Sequence, residues 1–250
     1  ALRLNPNNAE AYYYLGEVYD KLDRDKDAIA AYVNATQKNP RFTDAWFDLG
    51  AAYYNRKRYE DAINAYKTAI SLKNDNYEAH ENLADIYRLL AFNANAEIEK
   101  IIVNDKIKAK QPEIVKYETI RRTNYGLAEG SYQVAVTLAE RTLTDPKLTK
   151  IDQRALADLY SKFGFILGRM SKWDATITSL NKAVTLNPDS TDYTNLGWAF
   201  YNSAQNDFKN NPPEQGKVKL ENARNNLQKA TTMDPKAVGA FMNLGVTLTD

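Results

Sequence analysis

Large apolar, small and polar positions recur along this chain in a fixed order. Trp46, Leu49, Gly50 and Tyr53 stand at i, i+3, i+4 and i+7, which is one stripe of a helix. Ala62, Tyr66 and Ala69 form a second stripe at i, i+4 and i+7. Between them Asn55-Arg56-Lys57-Arg58 is short and polar, so the spacing predicts two antiparallel helices joined by a tight turn. Each of these residues has a counterpart 34 positions earlier: Tyr12, Leu15, Gly16, Tyr19, Ala28, Tyr32 and Ala35. A third copy opens at His80, Leu83, Ala84, Tyr87 and Ala96. Gly50 and Ala62 are small where two backbones approach, and Tyr53 and Tyr66 fill the space around them. A single hairpin of this kind leaves its apolar face uncovered, so neighbouring copies must stack.

In chain order, residues 1–6 read as the end of a preceding unit, with Pro6 standing before Tyr12 as Pro40 stands before Trp46. Residues 7–42 and 43–76 are two full units. Residues 77–111 form a third, whose second helix (roughly 94–109) is degenerate because Lys100 occupies the column of Tyr32 and Tyr66. From Pro112 the columns fade while the helical period persists. Ile114, Tyr117, Arg121 and Tyr125 share one face; Tyr132, Ala135, Leu138, Ala139 and Thr142 share another. With Gly130-Ser131 as the turn, residues 112–146 read as a divergent hairpin, the alternative being a helical segment inserted outside the stack. The columns return in 147–189, where the first helix starts early, near Ile151. In 190–237, fourteen extra residues separate Leu196 from Pro235 relative to the earlier units. A hairpin with both helices lengthened by about 7 residues, turning at Asn210-Asn211-Pro212-Pro213, accounts for them. Residues 238–250 open one more first helix.

The 34-residue period, with aromatic, leucine, glycine and alanine columns in this order, resembles the tetratricopeptide repeat. The resemblance implies an all-α, right-handed superhelical solenoid of about six antiparallel helix hairpins. It also implies that the first helices line a concave groove in which an extended peptide binds. Residues of those helices off the packing stripe then face the ligand. In the N-terminal groove they are Glu10, Tyr13, Glu17, Asp44, Phe47, Asp48, Tyr54, Glu81, Asn82 and Asp85, accompanied by Tyr14, Asp20, Glu78 and Arg88. In the C-terminal groove they are Phe165, Asn195, Trp198, Tyr201, Met242 and Asn243. The family's clamp for acidic chaperone C-termini uses Lys and Arg in columns that here hold Tyr13, Asp48, Glu78 and Asn82, which argues against that ligand class. Long members of the family carry a ladder of groove asparagines that grips peptide backbone, since an amide is both donor and acceptor. Here Asn82, Asn195 and Asn243 share one column, interrupted by Tyr14, Asp48 and Lys162.

Composition narrows the chemistry. Lys plus Arg is 33 and Asp plus Glu is 32, a net charge of +1, so nothing draws the whole chain to nucleic acid or an anionic membrane. No apolar run approaches the ~20 residues of a membrane span. There is no cysteine, which excludes disulfides, thiolate metal sites and thiol nucleophiles. The compartment stays open, with a lean toward a cytoplasmic or a bacterial exported protein. The one histidine, His80, sits in an aromatic packing column and reads as structural. No glycine-rich phosphate loop, nucleophile elbow or histidine metal pair is present. These readings converge on a non-catalytic protein-interaction scaffold without cofactor or metal, binding extended peptide segments, basic ones in the acidic N-terminal groove. Self-association through uncovered ends of the array is a further expectation. The alternative is a regulatory or substrate-presenting region of a larger enzyme such as a glycosyltransferase.

Overall fold

The computed structural model describes residues 2–3, 5–103, 111–210 and 213–249. Among them all regular structure is helical: α1 (Ala9–Lys21), α2 (Asp25–Lys38), α3 (Thr43–Asn55), α4 (Tyr59–Leu72), α5 (Tyr77–Val103), α6 (Gln111–Thr144), α7 (Gln153–Arg169), α8 (Trp173–Leu186), α9 (Ser190–Asn210), α10 (Pro213–Met233) and α11 (Val238–Thr249). Two compact units, residues 1–138 and 139–250, divide the chain, and α6 contributes to both.

In each unit the elements are hairpins. α1 packs on α2 and α3 on α4; in the second unit α7 packs on α8 and α9 on α10. Each second helix then meets the next first helix: α2 touches α3, α4 touches α5, α8 touches α9 and α10 touches α11. The floor of each of these four hairpins is a glycine. A Cβ at Gly16 would lie 2.5 Å from the Tyr32 ring, and one at Gly50 would lie 2.9 Å from the Tyr66 ring. In the second unit Gly164 meets Leu180 Cγ at 2.7 Å and Gly197 meets Leu227 Cγ at 2.6 Å in the same sense. Ala28, Tyr32, Leu49, Ala52 and Ala65 form the core between the first two hairpins, with Trp46 and Tyr53 against it. His80 repeats the role of Trp46. Trp46 Nε1 donates to the carbonyl of Pro40, six residues back, and His80 Nε2 faces the carbonyl of Asn74, also six back, at 3.4 Å.

Three hairpin turns, α1/α2, α3/α4 and α7/α8, are alike and carry no glycine. Asp23, Lys57 and Ser171 adopt left-handed backbone with φ of 54°, 58° and 59°. After each, the next N–H reaches back across the turn: Arg24 to the carbonyl of Tyr19, Arg58 to that of Tyr53, and Lys172 to that of Leu167. With the bonds Asp23 to Asp20, Lys57 to Tyr54 and Ser171 to Gly168, these are Schellman caps.

The structure departs from the sequence reading in three places. Leu2-Arg3 and Pro6-Asn7 are turns, so no helix end precedes α1 in the described residues; Ala1 and Leu4 lie outside them. The third unit does not turn after Leu90: α5 is one helix of 27 residues, and what remained of the expected second helix, 104–109, lies outside the described residues. Nor is 112–146 a hairpin. α6 is one helix of 34 residues running straight through Gly130-Ser131. The reason is a stripe with an unbroken phase: Ile114, Tyr125, Ala128, Tyr132, Ala135, Ala139 and Thr142 are all buried. Ala128 joins the two faces that the sequence reading took for separate helices, and a hairpin would have reset the phase at Gly130. A Cβ at Gly130 meets nothing within 4 Å, so this glycine sits in the helix without shaping it. Ile98 and Ile101 pack on Ile114, Asn95 accepts from Arg121, and Asp85 accepts from Tyr132, so α5 and α6 run antiparallel. Instead of about six hairpins, the described residues hold five and a further helix.

The α9/α10 hairpin is also long, 21 residues in each arm against 14 in α8. Asn211 and Pro212 of the expected turn lie outside the described residues. Its lower part is tied to α8 by ionic contacts: Lys219 Nζ lies 2.8 Å from Asp207 and 3.6 Å from Asp174, and it donates to Ser203 at 2.7 Å.

Candidate functional site

In the first unit, α1, α3 and the start of α5 place acids and rings on one side. Tyr13 leaves α1 toward α3, and its hydroxyl donates to Asp48 Oδ2 at 2.8 Å. The Tyr13 ring lies 4.9 Å from that of Phe42 and 5.9 Å from that of Tyr32, which holds the phenol in place. Glu17, Asp20 and Asp44 surround the pair closely enough to perturb it. Burial pushes Asp48 up to about 6; Glu17, Asp20 and Asp44 add to the rise, and the hydrogen bond from Tyr13 offsets part of it. Burial also raises Asp20, which accepts from the Tyr32 hydroxyl at 3.1 Å. A carboxylate whose ionised form is disfavoured, beside three others, is a site suited to a cation.

The remaining N-terminal residues divide. Phe47 packs edge-on against the Tyr66 ring at 5.6 Å, and Tyr66, Asn82, Tyr54, Asp48 and Asp85 form a second cluster. The Asn82 amide is engaged by the Tyr66 phenol. Asp85 is taken by an internal network: Arg88 lies 2.9 Å from Oδ1, and the Tyr132 hydroxyl donates to the same oxygen at 2.6 Å. Its charge is therefore partly answered within the fold. Glu81 stands near Tyr77, and Glu10 is exposed on the first turn of α1. Sequence reasoning missed Phe42, and it took Tyr32 and Tyr66 only as packing residues. The signal for the latter was available, since a packed tyrosine carries a hydroxyl that needs a partner.

In the second unit, Phe165, Asn195 and Trp198 come together in a hollow of about 340 Å³. The turn residue Ser171, with Gly168, Arg169 and Trp173, completes it; the sequence pattern marks Trp173 as a repeat column, and none of the four as a groove residue. Tyr201 lies against Trp198, rings stacked at 5.1 Å and 19°. Met242 and Asn243 are on α11 and do not line this hollow; Met242 is exposed. Among the described residues, no group of three His, Asp or Glu stands where it could hold a metal ion, and no helix is long and apolar enough to cross a membrane.

In sequence and in fold the chain is similar to tetratricopeptide-repeat proteins. A family model described as "TPR repeat" matches residues 52–90, and one described as "Tetratricopeptide repeat" matches residues 1–30. No curated protein sequence gives a significant match. Among solved structures, one described as "YrrB: a TPR protein with an unusual peptide-binding site" superposes with a TM-score of 0.65 at 16% identity, covering 96% of this chain and 94% of that one. MamA superposes at 0.56 with 17% identity, over 90% of this chain and 95% of that one. MamA from Desulfovibrio magneticus RS-1 gives 0.54 with 14% identity, over 90% and 97%. At these identities the likeness concerns the fold alone.

Proposed function

We propose, from the premise that the chain is a tetratricopeptide-repeat protein, that its first unit binds an extended, basic segment of a partner protein on the face formed by α1, α3 and α5. Arrays of this repeat are protein-interaction scaffolds, and in this reading the chain works by holding a partner, without catalysis of its own. The observation that carries the reading is the grouping of Glu17, Asp20, Asp44 and Asp48 around Tyr13, with Asp48 held up at about 6. Folding leaves that carboxylate short of a cation, and an Arg or Lys side chain supplies one. Tyr13, Phe47 and the exposed Tyr54 add ring faces for a guanidinium or ammonium, each worth about 0.5–1 kcal/mol at an exposed position. Single exposed ion pairs contribute only about 0–1 kcal/mol, so selectivity rests on several acids acting together.

A peptide array probed with the whole chain tests this reading. Basic peptides should be retained over acidic and apolar ones, and the paired substitution Glu17→Lys with Asp48→Lys should remove the preference. Preferential retention of acidic or purely apolar peptides would overturn it.

A further inference from the structure

The hollow of the second unit has a different chemistry from the acidic face of the first. No carboxylate lines it, and Arg169 stands in its wall. Its lining therefore offers a cation no carboxylate counter-charge, unlike the face of α1 and α3. Three aromatic residues line the hollow, Phe165 from α7, Trp173 from the start of α8 and Trp198 from α9, beside the polar Ser171, Thr176 and Asn195. Trp198 is set by its stack on Tyr201 and remains 37% exposed, so part of its surface is open to a ligand.

The floor separates two glycines one helical turn apart. Gly164 is demanded by the fold, because a Cβ there would lie 2.7 Å from Leu180 Cγ. Gly168 is not: the nearest atom to a Cβ there is Thr176 Cγ2 at 3.6 Å, an ordinary contact, and its φ is not positive. Neither helix packing nor backbone conformation calls for glycine at 168. The missing side chain leaves open space next to Ser171 and Trp173.

We propose that this hollow is an anchor pocket for one aromatic side chain of a bound segment, with Phe165, Trp173 and Trp198 as its walls and Gly168 as its floor. The proposal rests on the reading of the chain as a peptide-binding scaffold and adds what the second unit selects. A flat ring gains edge-to-face or offset contacts with three surrounding rings that an aliphatic side chain of the same size lacks. The Asn195 amide on the rim offers a donor and an acceptor to the peptide unit carrying that ring.

The test uses the whole chain and capped amino acids as probes: N-acetyl-tyrosinamide, N-acetyl-leucinamide and N-acetyl-lysinamide. The three tryptophans give three indole N–H signals in a nitrogen-15 correlation spectrum. Trp173 and Trp198 line the hollow, and Trp46, whose indole donates to Pro40, is an internal control. The tyrosine probe should shift the Trp173 and Trp198 signals saturably and leave Trp46 in place, binding about fivefold or more tighter than the leucine probe. The lysine probe should be weakest. Gly168→Leu should fill the space and abolish the response at a melting temperature no lower than the parent's; Trp198→Ala should weaken it if the leucine substitution disturbs folding. Absence of saturable shifts, equal binding of the leucine and tyrosine probes, or full binding by the folded Gly168→Leu variant would overturn the proposal. A chain that fails here yet retains basic peptides on the array keeps the scaffold reading and loses only the pocket.

Discussion

Asp48 lowers the stability of the folded chain at neutral pH. Its ordinary value is 3.8, and in the fold burial and the acids Glu17, Asp20 and Asp44 push it up to about 6. Between about pH 4 and 6 the unfolded chain releases a proton that the folded chain keeps, so stability falls as pH rises through that window. The deficit is complete above pH 6. Asp48→Asn keeps an oxygen for the Tyr13 hydroxyl and removes the charge. It should stabilise the chain by about 1 kcal/mol at pH 7, less than for a fully buried acid because the side chain is partly solvated, and by little near pH 4. Urea midpoints across that range check it; a variant less stable than the parent at pH 7 would show that the acid is not strained. At the same scale, Gly50→Leu forces a side chain into the Tyr66 ring, 2.9 Å from where Cβ must stand, and should lower stability by roughly 3 kcal/mol or more. A melting curve like the parent's would contradict this packing. These glycines were legible because Gly16 and Tyr32, Gly50 and Tyr66, and Gly164 and Leu180 keep one spacing. The strain on Asp48 was not, because neither its burial nor the reach of Tyr13 from the previous hairpin is written in local periodicity.

Among the elements, the ordinary hairpins are the ones whose columns are complete. The long pair α5/α6 was misread because a 3.6-residue stripe reports helix without reporting where a helix turns back. A turn shows itself as a break in phase. Ala128 kept the phase, and a glycine without steric neighbours at 130 imitated a cap. The true caps went unread for the opposite reason: Asp23, Lys57 and Ser171 are left-handed without being glycine. That conformation costs a side-chain-bearing residue about 1–2 kcal/mol, part of which glycine gives back in chain entropy. Lys57→Gly should therefore stabilise the α3/α4 hairpin by about 0.5–1 kcal/mol, seen as a higher melting temperature. Destabilisation on this change would mean that the Lys57 side chain makes a contact the turn depends on.

For the whole molecule, a net charge of +1 conceals an uneven distribution. The acids of α1 and α3 gather on one face of the first unit, while a hollow of the second is walled by rings and an arginine. The choice of groove residues on the first helices was a sequence-level reading of which positions lie off the packing stripe. The structure gathers Tyr13, Glu17, Asp44 and Asp48, diverts Asp85 to Arg88 and Tyr132, and leaves Glu10 in solvent. Recruitment of a basic segment by that acidic face is what the grouped carboxylates predict. Stopped-flow mixing of the whole chain with a fluorescein-labelled, arginine-rich dodecapeptide measures it most directly. The association rate constant should fall about tenfold or more as salt is raised from 50 to 300 mM, and Glu17→Lys with Asp48→Lys should slow association more than it speeds dissociation. An association rate indifferent to salt, or faster association of an acidic peptide of the same length, would contradict it.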